Sequence, residues 1–336
     1  MRRIYSFLAL LIAFAGPFSH SVHAQDDGYG PMLQVRLLIL YTPAAKDSLG
    51  GEIGITNAII DAVDETNMAY FNSEVNHWVQ LVRTCEIAAQ ESDCFVQDVR
   101  AFSQMSGVDS LREKYRADVA VLILDNPEFC GLPLEMDALA TAATAYCAVH
   151  WKCLPQNLSL PHQIAHLYGC SHPTQTVTAE SDGAAYPDGH GYVWSYLDTE
   201  IGFSTIMGIY DETNCAAEES DYECNLIPYF SNPLVQYSGV PTGIAGLADN
   251  VRVLNMNGPI LANFYPLQPI QAISDTVLAN DFAYLQATDT VRNAGNYLVT
   301  DTSMVWFQAQ SRIVLDTGFT VTEGARFETL LDSLFQ

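Results

Sequence analysis

Three histidines, His162, His166 and His172, have the spacing of a metal site. His162 and His166 are four residues apart, so on a helix their rings lie on one face and can reach one ion. Gly169 stands where such a helix stops and permits a sharp turn, after which His172 can return to the same point. Three neutral imidazoles leave a fourth position open for water, the layout of a catalytic zinc centre rather than a closed structural one. The run holds no pair of thiolate ligands, and imidazole suits zinc. Gln163 follows the first ligand. An amide can hydrogen-bond to water but cannot take its proton.

These residues need a helix to hold them. Ser159 is a good helix N-cap, and Pro161 is tolerable only in a first helical turn. The pair is therefore expected on a short helix ended by Gly169. Upstream, Gln34 to Tyr41 is an apolar run that predicts a buried strand. Ile53 to Tyr70 carries Ile55, Ala58, Ile59, Ala62, Val63 and Met68 at helical spacing. Trp78 to Val82 suggests a second strand, Val108 to Tyr115 a short helix, and Asp118 to Leu124 a third strand. Thr141 to Trp151 is expected to be an edge strand. Strands and helices alternating in this order predict an α/β layer. Residues 214–255 read as loops. Past Phe264–Pro269, short alternating segments at Met304–Phe307, Arg312–Leu315 and Phe319–Val321 predict a small all-β module, with no repeat evident outside it.

The chain has 336 residues, enough for a large domain and a small one. Residues 1–24 read as an export signal: Arg2 and Arg3, an apolar run from Ile4 to Phe18, then Val22-His23-Ala24 as a cleavage site. The expected organisation is 1–24 signal peptide, 25–266 main domain and 267–336 β module. The expected location is secreted, extracellular or cell-surface, with no membrane span once the signal is removed. Loss of Arg2 and Arg3 takes the formal charge from −25 to −27. So acidic a surface repels nucleic acid and anionic membranes. The eight cysteines form no CxxC pair, and an even number in an exported protein points to disulfides. Cys85 with Cys94, and Cys215 with Cys224, bracket polar stretches and are the local candidates. Cys130, Cys147, Cys153 and Cys170 allow three pairings.

The stretch from His162 to His172 resembles the metzincin zinc-peptidase signature H-E-x-x-H-x-x-G-x-x-H, nearest to the secreted bacterial reprolysin-like type, with glutamine for glutamate. The likeness covers residues 33–265. Tyr115–Ile123 with Cys130-Gly131 is similar to the stretch leading to the family's edge strand, and Thr205-Ile206-Met207 to its Met-turn. Tyr229–Gly243 and Asn250–Leu254 are similar to the usual ending of such domains. The tail, with Ile313–Phe319 and Gly324–Phe327, is similar to small β modules of exported Bacteroidota-type proteins. The resemblance implies an α/β (α+β) zincin fold with a cleft for a polypeptide, an active-site helix, Zn2+ on His162, His166 and His172, and Met207 as the floor. In that family the motif glutamate is the general base, so Gln163 implies weak or lost hydrolysis. Pro173 stands where an aspartate often follows the third histidine. Two other functions are compatible with the residues: a working endopeptidase with a base elsewhere, such as Glu180 or Asp182, and a non-catalytic binding or adhesion protein on the protease fold.

Overall fold

A computed structural model describes residues 33–136, 138–154, 157–173, 184–195, 202–208 and 224–331. The export signal, Glu180, Asp182 and Cys215 lie outside them. Strand β1 (Leu33–Tyr41) leads into helices α1 (Pro43–Ser48) and α2 (Glu52–Ser73), then β2 (His77–Glu86). Helices α3 (Phe95–Ser103) and α4 (Ser106–Tyr115) precede β3 (Val119–Leu124), β4 (Gly131–Pro133) and β5 (Tyr146–His150). Strand β1 lies between β2 and β3, parallel to both, and β3 continues to β5 in parallel. Such a sheet is covered on both faces, which is why β1 and β3 read as unbroken apolar runs. Alternate residues of β1 enter different cores: Val35, Leu37, Ile39 and Tyr41 pack with α2, Leu38 and Leu40 with α3 and α4.

Two expectations change here. The run from Thr141 is not the edge strand: β5 is interior, and β4 runs antiparallel on its outer side as the edge. On α2, Ile55, Ile59, Ala62 and Val63 are buried as the spacing predicts, but Met68 lies on the outer face. The buried stripe continues instead through Thr66, Ala69, Tyr70 and Ser73, one position away from Met68.

The segment 224–265 includes helix α6 (Asn250–Leu261), which the sequence reading assigned partly to loop. Asp249 caps it, accepting from the Arg252 N–H at 3.0 Å. Buried Arg36 ties the end of this helix to the sheet. It donates to both Asp118 carboxylate oxygens at 2.9 and 3.0 Å, and to the carbonyls of Ala262 and Tyr265.

The regular elements between 270 and 331 are all strands: β11 (Ile270–Val277), β12 (Phe282–Ala287), β13 (Thr290–Val299), β14 (Met304–Ala309), β15 (Arg312–Val314), β16 (Phe319–Val321) and β17 (Arg326–Leu331). Short strands pair earlier at β6 (Val193–Ser195), β7 (Gly202–Ser204) and β8 (Cys224–Leu226), and at β9 (Gln236–Tyr237) with β10 (Val240–Pro241). The tail strands pair in parallel, and the register step is 22 residues (Phe282 faces Met304, and Met304 faces Arg326) except in the first half of β11, where Ile270 faces Thr290 at 20 before a register shift. Asn280, Thr302 and Gly324, the corner residues at the same interval, all have positive φ. This is a β-solenoid, a coil of stacked rungs. Its first rung joins the main sheet where β12 pairs antiparallel with β2. The seam also holds the buried ion pair Arg83–Asp281 at 2.9 Å, and Tyr115 hydrogen-bonded to Asp275. The composition break at Pro266 thus marks a change from helix to strand, while the described residues on both sides of it fall in one compact unit.

Cys130 is disulfide-bonded to Cys153, with Cα atoms 5.4 Å apart, fixing the start of β4 to the turn after β5. The local candidate Cys85–Cys94 does not form: both are free thiols. The stretch between them is a strand-to-helix connection, not a hairpin that would return one cysteine to the other. Cys147 and Cys170 are buried free thiols.

Candidate metal centre

Helix α5 (Ser159–Leu167) carries the first two histidines. Its N-cap is Leu158 in the left-handed region, with φ 48°, and Ser159 is the first helical residue rather than the cap. The His162 N–H closes the first turn on the Leu158 carbonyl. Gly169, at φ +87°, ends the helix. A Cβ there would lie 3.0 Å from the Tyr186 ring and 3.2 Å from Ala185, so both conformation and space call for glycine. The chain then reverses, and Ser171 forms a bridge with His190.

This geometry brings the three predicted residues together. The Nε2 atoms of His162 and His172 are 3.0 Å apart, those of His166 and His172 3.1 Å, and those of His162 and His166 3.2 Å. His162 Nδ1–H donates to the Ile206 carbonyl at 2.7 Å, and His166 Nδ1–H to the Cys170 carbonyl at 3.0 Å. Those bonds fix the tautomer, so both Nε2 atoms present bare lone pairs. Burial disfavours protonation: His162 and His166 are held below the ordinary histidine value by desolvation, His166 further by its two neighbours, and His172 is pushed down to about 3. Converging lone pairs without a proton between them repel, and a cation relieves this. A tetrahedral ion about 2.0–2.1 Å from each nitrogen would set them roughly 3.3–3.4 Å apart. Among the described residues this is the one group placed to hold a metal ion.

Gln163 is buried on the same helix, and its Oε1 has no hydrogen-bond partner. It packs against Gly131 of edge strand β4, where a Cβ would fall 2.7 Å from Gln163 Cγ. Met207 is fully buried in the turn Thr205–Gly208, closed by the Gly208 N–H to the Thr205 carbonyl at 2.7 Å. The same turn supplies the Ile206 carbonyl that orients His162. Gly191 packs directly on the Met207 carbonyl, with no room for a side chain.

His190 was missed by sequence reasoning. Its Nδ1–H donates to the His172 carbonyl at 2.7 Å, and its own carbonyl accepts from Ser231. Ser231 and Asn250 bond to each other, and Asn250 donates to the Gly189 carbonyl. This network anchors the segment that returns His172 to the helix. Eighteen residues separate His190 from His172, so no local spacing could signal it.

A mixed α/β fold presenting three convergent histidines defines a candidate metal-dependent protein. No protein-family model matches the chain. It is similar to curated proteins named peptidyl-Asp metalloendopeptidase. It is 33% identical to that of Stenotrophomonas maltophilia K279a over 240 residues, 70% of this chain and 54% of the relative. It is 32% identical to that of Xanthomonas campestris pv. campestris over 251 residues, 73% of this chain and 55% of the relative. The chain thus spans about half the length of the curated relatives it matches. A chain in a solved chaperone–substrate complex shares the fold, with TM-score 0.52 and 17% identity over 70% of this chain and 35% of the other. The sequence similarities and the histidine triad support a metallopeptidase family and a metal cofactor. Among the described residues no helix is long and apolar enough to cross a membrane.

Proposed function

We propose that this chain is an exported, metzincin-like protein of the reprolysin-like type that holds zinc on His162, His166 and His172 but hydrolyses peptides weakly or not at all. Residues 25–266 form the peptidase-like domain and 267–336 the β module. The observation that carries the reading is Gln163: a buried amide with an unpartnered oxygen, one residue after the first histidine. Bound zinc would polarise a substrate carbonyl and acidify water.

The chain's own residues then do the following. His162 and His166 offer Nε2 in the tautomer set by Ile206 and Cys170. Gln163 Oε1 accepts a hydrogen bond from water or from a peptide N–H, but it takes no proton. General-base assistance is worth ~10²–10⁴ in rate, and that share is missing at this position. Met207 floors the site, and a polypeptide lies in the cleft beside β4.

The relatives' names tie them to aspartyl peptide bonds, so an Asp-containing peptide is the probe of choice. The test is zinc content by elemental analysis together with cleavage of that peptide by the purified protein. One zinc per chain with little or no chelator-sensitive cleavage is expected. Brisk cleavage abolished by a chelator would replace this reading with an active endopeptidase.

A further inference from the structure

Among the described residues, the two ends of the solenoid differ. On its first rung, β12 is joined to β2 through the antiparallel pairing of Phe282 and Ala283 with Thr84 and Arg83. Among the described residues its last rung, β15, β16 and β17, pairs only inward, with β13 and β14. Positions that point into the stack show the difference. Val277, Val299 and Val321 occupy one column of the register, and they are 0%, 0% and 40% exposed. Ala287, Ala309 and Leu331 occupy another, at 0%, 0% and 60%. The interior aromatic stack also runs up to this end: Phe307 lies 5.1 Å from Phe327, and Phe319 4.7 Å from Phe327. A terminal rung with apolar interior positions and a free strand edge is a template for another strand.

We infer that the open rung is a docking surface for a second copy of this chain, joined through β17 about a two-fold axis. Charge selects this occupant and its register. Arg326 and Glu328 lie on the outer face of β17, two residues apart, with Phe327 between them pointing inward. Antiparallel pairing centred on Phe327 sets Arg326 of each copy opposite Glu328 of the partner subunit. Two opposite-charge cross-strand pairs form, and the two Phe327 rings meet inside the joined stack. The side-chain parity is also right, because a residue-centred two-fold matches inward positions with inward positions. Residues 312–331 carry two arginines and three carboxylates, a net charge of −1, whereas the whole chain carries −25. This end is therefore where two acidic copies meet with little repulsion.

Sedimentation equilibrium on the purified protein tests this, with two variants checked for an unchanged melting profile. The wild type is expected to be a concentration-dependent dimer. Arg326→Glu sets carboxylates opposite one another and should weaken the dimer by about tenfold or more. The double exchange R326E/E328R restores opposite charges and should recover most of the affinity. A wild type that stays monomeric at every concentration would overturn the proposal. So would a dimer indifferent to Arg326→Glu, or one that the double exchange fails to rescue.

Discussion

A single methyl group placed on Gly131 would probe how the edge strand and the altered motif residue fit together. In Gly131→Ala the new Cβ would lie 2.7 Å from Gln163 Cγ, 2.9 Å from Gln163 Cδ and 2.9 Å from the Ala148 carbonyl oxygen. Gly131 is not in the left-handed region, so the cost is steric rather than conformational. Overpacking of this kind costs about 1–3 kcal/mol. Two of the three close atoms belong to Gln163, so Gln163→Ala removes them while the Ala148 oxygen remains. The double variant should therefore lose less stability than the two single losses added together, by about 1 kcal/mol. Denaturant unfolding of the four zinc-loaded proteins, followed by circular dichroism, gives the cycle. Losses that add to within about 0.3–0.5 kcal/mol would show that Gln163 and the edge strand do not share this space.

Two further outcomes follow from the site and its surroundings. His166→Ala removes the ligand most deeply buried, and elemental analysis should find stoichiometric zinc lost; full zinc content would sink the ligand assignment. His77 is buried against Tyr168, whose hydroxyl lies 2.9 Å from its Nε2, and desolvation lowers its pKa to about 4. The folded state therefore favours the neutral ring, and this contribution is complete above about 6.5, the unfolded value. It is lost progressively as pH falls from there towards about 4, because the unfolded chain takes up the proton first. His77→Gln, which cannot titrate, should flatten the fall in stability between pH 7 and 5; an unchanged slope would show that His77 does not contribute to it.

The histidine cluster was legible in the sequence because its information is local. One helix and one glycine turn set two of the three histidines and aim the third, so spacing alone located the cluster. The strands β1 and β3 were legible because a sheet buried on both faces leaves unbroken apolar runs. What the sequence hid is non-local. His190 acts through a backbone carbonyl eighteen residues away. The bond between Cys130 and Cys153 depends on how β4 returns beside β5. The solenoid's 22-residue register is spread over dissimilar side chains such as Phe282, Met304 and Arg326, whose common feature is position in a stack. The pairing of β12 with β2 left no mark in composition, which changes at Pro266 although the packing is continuous.

In the proposed zinc site one proton acceptor is missing, and Gln163→Glu tests this most directly. The exchange keeps the side chain's length and its place against Gly131. It replaces the unpartnered amide oxygen with a carboxylate able to take a proton. Cleavage of an Asp-containing peptide by wild type and variant, with zinc quantified in both, is the measurement. The account predicts equal zinc and a gain of ~10²-fold or more in the variant, abolished by a chelator and by His162→Ala. Equal cleavage by both proteins would contradict it and place the base on another residue. No cleavage by either, with zinc bound, would also contradict it and leave the chain a binding protein on a protease fold.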